Sequence, residues 1–137
     1  MKIVSLILFY MQFAFAAIDV GFFNTIATAS LKKDQFLNII VYDQEEKRLL
    51  QFRWTLFHNQ GLVTHTNYRG HPMQELLYAR YRQDTIKIEI ALRDNEVSFY
   101  HPYLLITFLG YDYKQNKANF EIRHKDLQEQ TRIEIKE

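Results

Sequence analysis

Cysteine is absent from this chain of 137 residues, proline occurs twice, glycine four times and tryptophan once. Without thiols there are no disulfide crosslinks, cysteine nucleophiles or thiolate-bound zinc, and stability has to come from packing. Few prolines and glycines argue against linkers and disordered tracts. The glycines at 21, 61, 70 and 110 stand isolated, so no phosphate-cradling loop is present and nucleotide-dependent catalysis is not expected. An excess of one charge is lacking too: 17 Lys and Arg stand against 16 Asp and Glu. That balance gives no electrostatic basis for binding nucleic acid or for a polybasic membrane tether. Past residue 16, serine occurs only at Ser30 and Ser98, neither in the Gly-x-Ser-x-Gly elbow of a serine hydrolase.

What is present begins with an export pattern. Met1-Lys2 is a short positive start, Ile3 to Phe15 is apolar apart from Ser5 and Gln12, and Ala14-Phe15-Ala16 supplies small residues where signal peptidase reads. This order predicts a cleavable signal peptide over 1–16 and a single β-rich domain over 17–137. The alternative is a retained anchor, but the run is shorter than the roughly 20 apolar residues that cross a bilayer. No membrane span is expected after cleavage, and the product is expected in the periplasm or outside the cell. Lys2 leaves with the signal, so the domain carries 16 charges of each sign.

The dominant periodicity in the domain is two. Ile86, Ile88, Ile90 and Leu92 alternate with polar or small residues, as do Phe120 with Ile122 and Ile133 with Ile135. Such alternation marks strands buried on one face. Phe36–Tyr42 and Tyr103–Tyr111 are apolar on both faces and read as central strands. Val20–Ala29 reads as a first strand, with Gly21 marking a bulge. Turn residues recur about every ten positions, which predicts an antiparallel β-sandwich or small β-barrel of about eight strands. Residues 72–81 are ambiguous. Met73, Leu76, Leu77 and Tyr81 fall near helical spacing after Pro72, so a short helix competes with a strand there.

Leu49–His58 and Leu62–Arg69 read as a hairpin around Asn59-Gln60-Gly61, with Gly61 in the left-handed position of a three-residue loop. In that register Phe57 faces Val63, Thr55 faces His65, Arg53 faces Asn67 and Gln51 faces Arg69. The other face carries Phe52, Trp54, Leu56, Leu62 and Tyr68.

Arg53, His65 and Arg69 are the candidate binding residues on the polar face, because guanidinium forks suit carboxylate or phosphate groups. Tyr100 and Tyr103, in the run Phe99-Tyr100-His101-Pro102-Tyr103, are candidates for an aromatic rim; the competing reading sends this run into the core. His58, His65 and His71 match no common metal spacing, and the register puts His58 and His65 on opposite faces, so no metal site is expected. The acidic clusters Asp43/Glu45/Glu46 and Asp94/Glu96 look like solvated hairpin ends. No catalytic residue and no cofactor are assigned.

The leading expectation is an exported, non-catalytic envelope protein, an interaction module for a protein or other envelope partner and not for nucleic acid. The alternatives are a small-ligand-binding β-barrel carrier, an outer-membrane β-barrel and a small hydrolase with a spatially assembled site. The membrane barrel is disfavoured by the C-terminus, Ile133–Glu137, which lacks a terminal aromatic residue. The sequence does not specify the oligomeric state.

Overall fold

The computed structural model describes residues 24–44, 46–91, 101–127 and 129–136. The expected signal segment, the bulge at Gly21, Leu92, the acidic pair at 94 and 96, Ser98 and Tyr100 lie outside the described residues. Nine strands follow one another: β1 (Asn24–Lys32), β2 (Leu37–Asp43), β3 (Glu46–His58), β4 (Gly61–Tyr68), β5 (His71–Tyr78), β6 (Thr85–Glu89), β7 (Tyr103–Asp112), β8 (Lys117–Lys125) and β9 (Thr131–Lys136). They form two antiparallel sheets, in the orders β1-β8-β7-β6 and β5-β4-β3-β2-β9. The architecture is a β-sandwich, and among the described residues no closed barrel forms.

The alternating residues make the core. Ile86 and Ile88 on β6, Leu104, Ile106 and Phe108 on β7, and Ala118, Phe120 and Ile122 on β8 face Leu37, Ile39 and Val41 on β2 and Leu50, Phe52 and Trp54 on β3. Phe120 meets Phe52 edge-on across the interface, centroids 4.9 Å apart, and lies 5.8 Å from Phe108. The interface between the sheets is apolar. Among the described residues the interior is filled by rings and aliphatic groups. Two buried bonds tie the layers together: the Trp54 indole donates to the carbonyl of Leu31, 2.8 Å away, and the Tyr68 hydroxyl donates to the carbonyl of Ile90, just past β6, at 2.5 Å.

The short-helix alternative for residues 72–81 is overturned, because His71–Tyr78 is the edge strand β5. The main-chain groups of β4 find partners there along the whole strand, from Tyr68↔His71 to Gly61↔Tyr78. Only Leu77 of the apolar residues at near-helical spacing is fully buried, while Met73 and Leu76 remain exposed. Pro72 is tolerated because an edge strand has one row of unpaired amides.

Strand direction alternates along the chain. The β1–β2, β3–β4, β5–β6 and β7–β8 connections therefore collect at one end of the sandwich, and the other four at the opposite end. Asn24 pairs with His124, so β1 starts at that opposite end. With glycine scarce, several turns place other residues in the left-handed region, among them Asn59 (φ 49°), Gln60 (φ 67°), Arg69 (φ 56°) and Arg80 (φ 64°).

The β8–β9 connection is closed by Asp126. Its Oδ2 accepts from the backbone N–H groups of Gln130 and Thr131, at 2.9 and 2.7 Å, and from the Thr131 hydroxyl at 2.6 Å. The Thr131 hydroxyl also contacts His124 Nε2 at 2.9 Å. Burial pushes the His124 imidazole below its ordinary value, and the nearby Asp126 charge only partly offsets this. The unfolded chain, with histidine near 6.5, therefore binds the proton more readily than the folded one. His124 contributes stability that is present above that value and is lost as the pH falls below it. Urea midpoints should drop between neutral and mildly acidic pH, and His124→Gln should flatten the slope. An unchanged slope in the variant would contradict the assignment.

Candidate functional site

Two irregularities at the end that carries the β3–β4 turn create its most distinctive surface. The β3–β4 register runs Arg53↔His65 and Trp54↔Thr64, then shifts to Leu56↔Val63 and Phe57↔Leu62. The extra residue, Thr55, is a bulge that reverses the faces beyond it. Leu56 is turned to solvent, 52 % exposed, and Phe57 packs against the core. On the opposing sheet β7 has its own shift between Phe108 and Gly110. Gly110 adopts φ 153°, a conformation that side chains rarely enter, and beyond it Tyr111 also packs against the core. The two reversals bring Phe57 and Tyr111 face to face, centroids 4.1 Å apart and planes 12° from parallel.

This stacked pair is the floor of an aromatic rim. Tyr113 meets Tyr111 at 5.1 Å and Phe57 at 5.8 Å, both edge-on, and Trp54 meets Tyr111 from the core side at 5.7 Å. The Gln60 side-chain amide donates to the Tyr113 hydroxyl at 3.0 Å, linking the β3–β4 turn to the β7–β8 connection. The Tyr113 side chain is nonetheless 63 % exposed, and Tyr81, on the β5–β6 connection, is 70 % exposed. Two grooves adjoin here and share Gln60 and Tyr81. One, about 660 Å³, lies among Asn59, Gln60, Tyr78, Tyr81, Arg82 and Gln83. The other, about 410 Å³, runs from Arg80 and Tyr81 over Phe57 to Tyr111 and Tyr113. The only charged side chains in either lining are Arg80 and Arg82, and among the described residues neither is paired with a carboxylate.

The hairpin turn differs from the expected one. His58 pairs directly with Gly61, leaving Asn59-Gln60 as a two-residue turn with both φ values positive, the handedness that suits a twisted hairpin. Gly61 is not in the left-handed region. Its role is close approach: a Cβ there would meet side-chain atoms of Leu76 and Tyr78 at 3.1 Å. Gln60 instead carries the unfavourable conformation, worth roughly 1–2 kcal/mol in a residue with a Cβ. Gln60→Gly should raise unfolding free energy by about 1 kcal/mol, since the solvent-exposed bond to Tyr113 offsets little of that gain. Urea titration measures this change, and a destabilised variant would contradict the account of the turn.

The residues singled out in the sequence do not form one site. Arg53 and His65 are brought directly opposite each other, replacing the expected pairs Arg53–Asn67 and Thr55–His65. Each has local partners. Arg53 lies 3.9 Å from Asp34 and over the Phe36 ring at 5.1 Å, and His65 Nε2 contacts the Thr55 hydroxyl at 3.1 Å. Gln51 faces Asn67, not Arg69. Arg69 sits in the β4–β5 turn at the opposite end, over the Tyr68 ring at 5.7 Å. Tyr103 lies on the outer face of the other sheet, between Lys87 and Lys125 at 4.5 and 5.5 Å from its centroid. Past the bulge, His58 returns to the same outward face as His65, contrary to the expected register. Among the described residues no three His, Asp or Glu side chains gather to hold a metal ion.

Sequence reasoning missed the rim because its members come from three connections, around positions 60, 81 and 113. One signal was available: a glycine inside a strand often marks a bulge, and Gly110 interrupts an otherwise continuous apolar run. Fold and rim together define a β-sandwich with a ligand-sized aromatic end. No protein-family model matches the chain, and neither a curated protein nor a solved structure shows significant similarity to it.

Proposed function

We propose that this chain is an exported, non-catalytic binding domain of the cell envelope, which engages its partner through the aromatic rim. The observation that carries the reading is the composition of the two grooves. Among the described residues their linings hold tyrosines, amides and two arginines, and no Asp, Glu, His, Ser or Thr. Acid–base catalysis draws most often on His, Asp or Glu, and a hydroxyl nucleophile is activated by such a neighbour. Recognition needs rigid amphipathic rings with adaptable hydrogen-bonding groups beside them, which tyrosine and amides supply at low entropic cost. The packing of Tyr113 against Tyr111 and Phe57 pre-forms part of the surface. Export rests on the N-terminal pattern and agrees with a cysteine-free domain that relies on packing.

The test is a double substitution, Tyr81→Ala with Tyr113→Ala. Tyr81 is largely exposed and Tyr113 loses two edge-on ring contacts, so folding stability should fall by about 1–2 kcal/mol and leave the domain folded. Capture of an envelope partner by crosslinking should fall by about tenfold or more, as expected for loss of central aromatic anchors. Undiminished capture by the folded double variant would refute the rim as the binding surface.

A further inference from the structure

Resting on that reading, we infer that the rim takes an acidic polysaccharide, a chain of sugars that bear carboxylates. The two grooves adjoin through Gln60 and Tyr81, so two neighbouring sugar units can each find a seat beside the next. An exposed tyrosine stands in each lining, and Tyr113 adds a second ring to the smaller groove. A ring face exposed to water is best covered by a flat group with an apolar face and a polar edge. A pyranose has that shape: its axial C–H groups cover the ring, while its hydroxyls reach the side.

The neighbouring polar groups match the sugar edge. The amides of Asn59 and Gln60 each offer a donor and an acceptor to adjacent hydroxyls. Arg80 and Arg82 are the sole charges in the lining, and no described carboxylate neutralises them. Guanidinium forks of this kind select planar carboxylates, which gives the grooves their preference for an acidic chain. Capture of an extended peptide by a sheet uses an unpaired strand edge. Of the lining residues only Tyr78 lies on an edge strand; the rest are turn residues or belong to the interior strands β3 and β7, so the grooves favour sugar over peptide. Among the described residues the lining holds no carboxylate pair of the kind that glycoside hydrolysis uses.

The experiment is calorimetric titration of the purified protein with hexasaccharides of mannuronate, galacturonate and hyaluronan, beside maltohexaose and hexaglutamate. At least one acidic hexasaccharide should bind about tenfold or more tighter than maltohexaose and hexaglutamate. Tyr113→Ala should weaken it about tenfold, whereas Tyr113→Phe, which keeps the ring, should retain most of the affinity. Arg80→Gln with Arg82→Gln should bring the acidic sugar down to the neutral one. The inference is overturned if no acidic sugar outbinds maltohexaose, if hexaglutamate binds best, or if the arginine variants keep the acidic preference. If acidic sugars fail while the Tyr81→Ala/Tyr113→Ala variant still loses its envelope partner, only the ligand class is wrong. If both fail, the rim itself is not the site.

Discussion

Replacing Phe120 with alanine is expected to cost about 3–5 kcal/mol, the usual range for removing a fully buried aromatic ring. Phe120 has no solvent exposure and sits between Phe52 of the facing sheet and Phe108 of its own. The ring cannot be replaced by a neighbour, because both flanking rings are themselves buried at the same interface. The loss combines the transfer energy of the ring, the cavity left between two sheets and the edge-on contact with Phe52. Natural domains are stable by only about 5–15 kcal/mol, so one such loss consumes much of the total. There is no disulfide to limit the unfolded state. For a domain of this size the melting temperature should fall by roughly 10–20 °C. Circular dichroism melts and urea titrations measure both quantities, and a loss below about 1 kcal/mol would mean that the interface repacks freely.

Trp54→Phe is expected to cost about 2–3 kcal/mol although it keeps an aromatic ring. The indole N–H satisfies the Leu31 carbonyl across the sandwich, in a setting where both residues are 3 % exposed. Phenylalanine leaves that acceptor buried without this donor, and an unpaired buried polar group costs about 1–3 kcal/mol. The lost ring volume adds to this. Trp54 is also held from outside: its carbonyl accepts from the N–H of Asp34 at 2.9 Å, so the backbone should stay in place while the side chain shrinks. Because Trp54 supports Tyr111 edge-on, the variant should also weaken partner binding, by less than loss of an exposed tyrosine. A destabilised variant with full binding would show that the floor of the rim does not depend on this support.

Much of the fold is legible in the residues. Ile86 and Ile88 and the pair Phe120 and Ile122 alternate cleanly, and each set lies in the core. Phe36–Tyr42 and Tyr103–Tyr111 were read as central strands, and β2 and β7 are interior to their sheets, although Phe36 itself lies in the turn before β2 and is exposed. Beyond Trp54 the pattern cannot decide, because Leu56 and Phe57 are both apolar and either satisfies the core. The bulge at Thr55 settles the choice through packing with Tyr111, a residue more than fifty positions away. Gly61 illustrates the same limit: glycine suits a left-handed turn, yet here it clears space for Tyr78 and Leu76. Arg53 and His65 do share a face, but Asp34, Phe36 and Thr55 already engage them, and those contacts arise from the tertiary fold.

The most direct test of the rim is a scan with a photoreactive amino acid, placed one position at a time in the protein within its host. Positions 81 and 113 sample the rim, 107 and 123 sample the outer face of the four-stranded sheet, and 53 and 65 sample the other outer face. The account predicts crosslinked partner or glycan adducts from 81 and 113 and none from the other four. Adducts concentrated at 53 and 65, with none at 81 and 113, would contradict it.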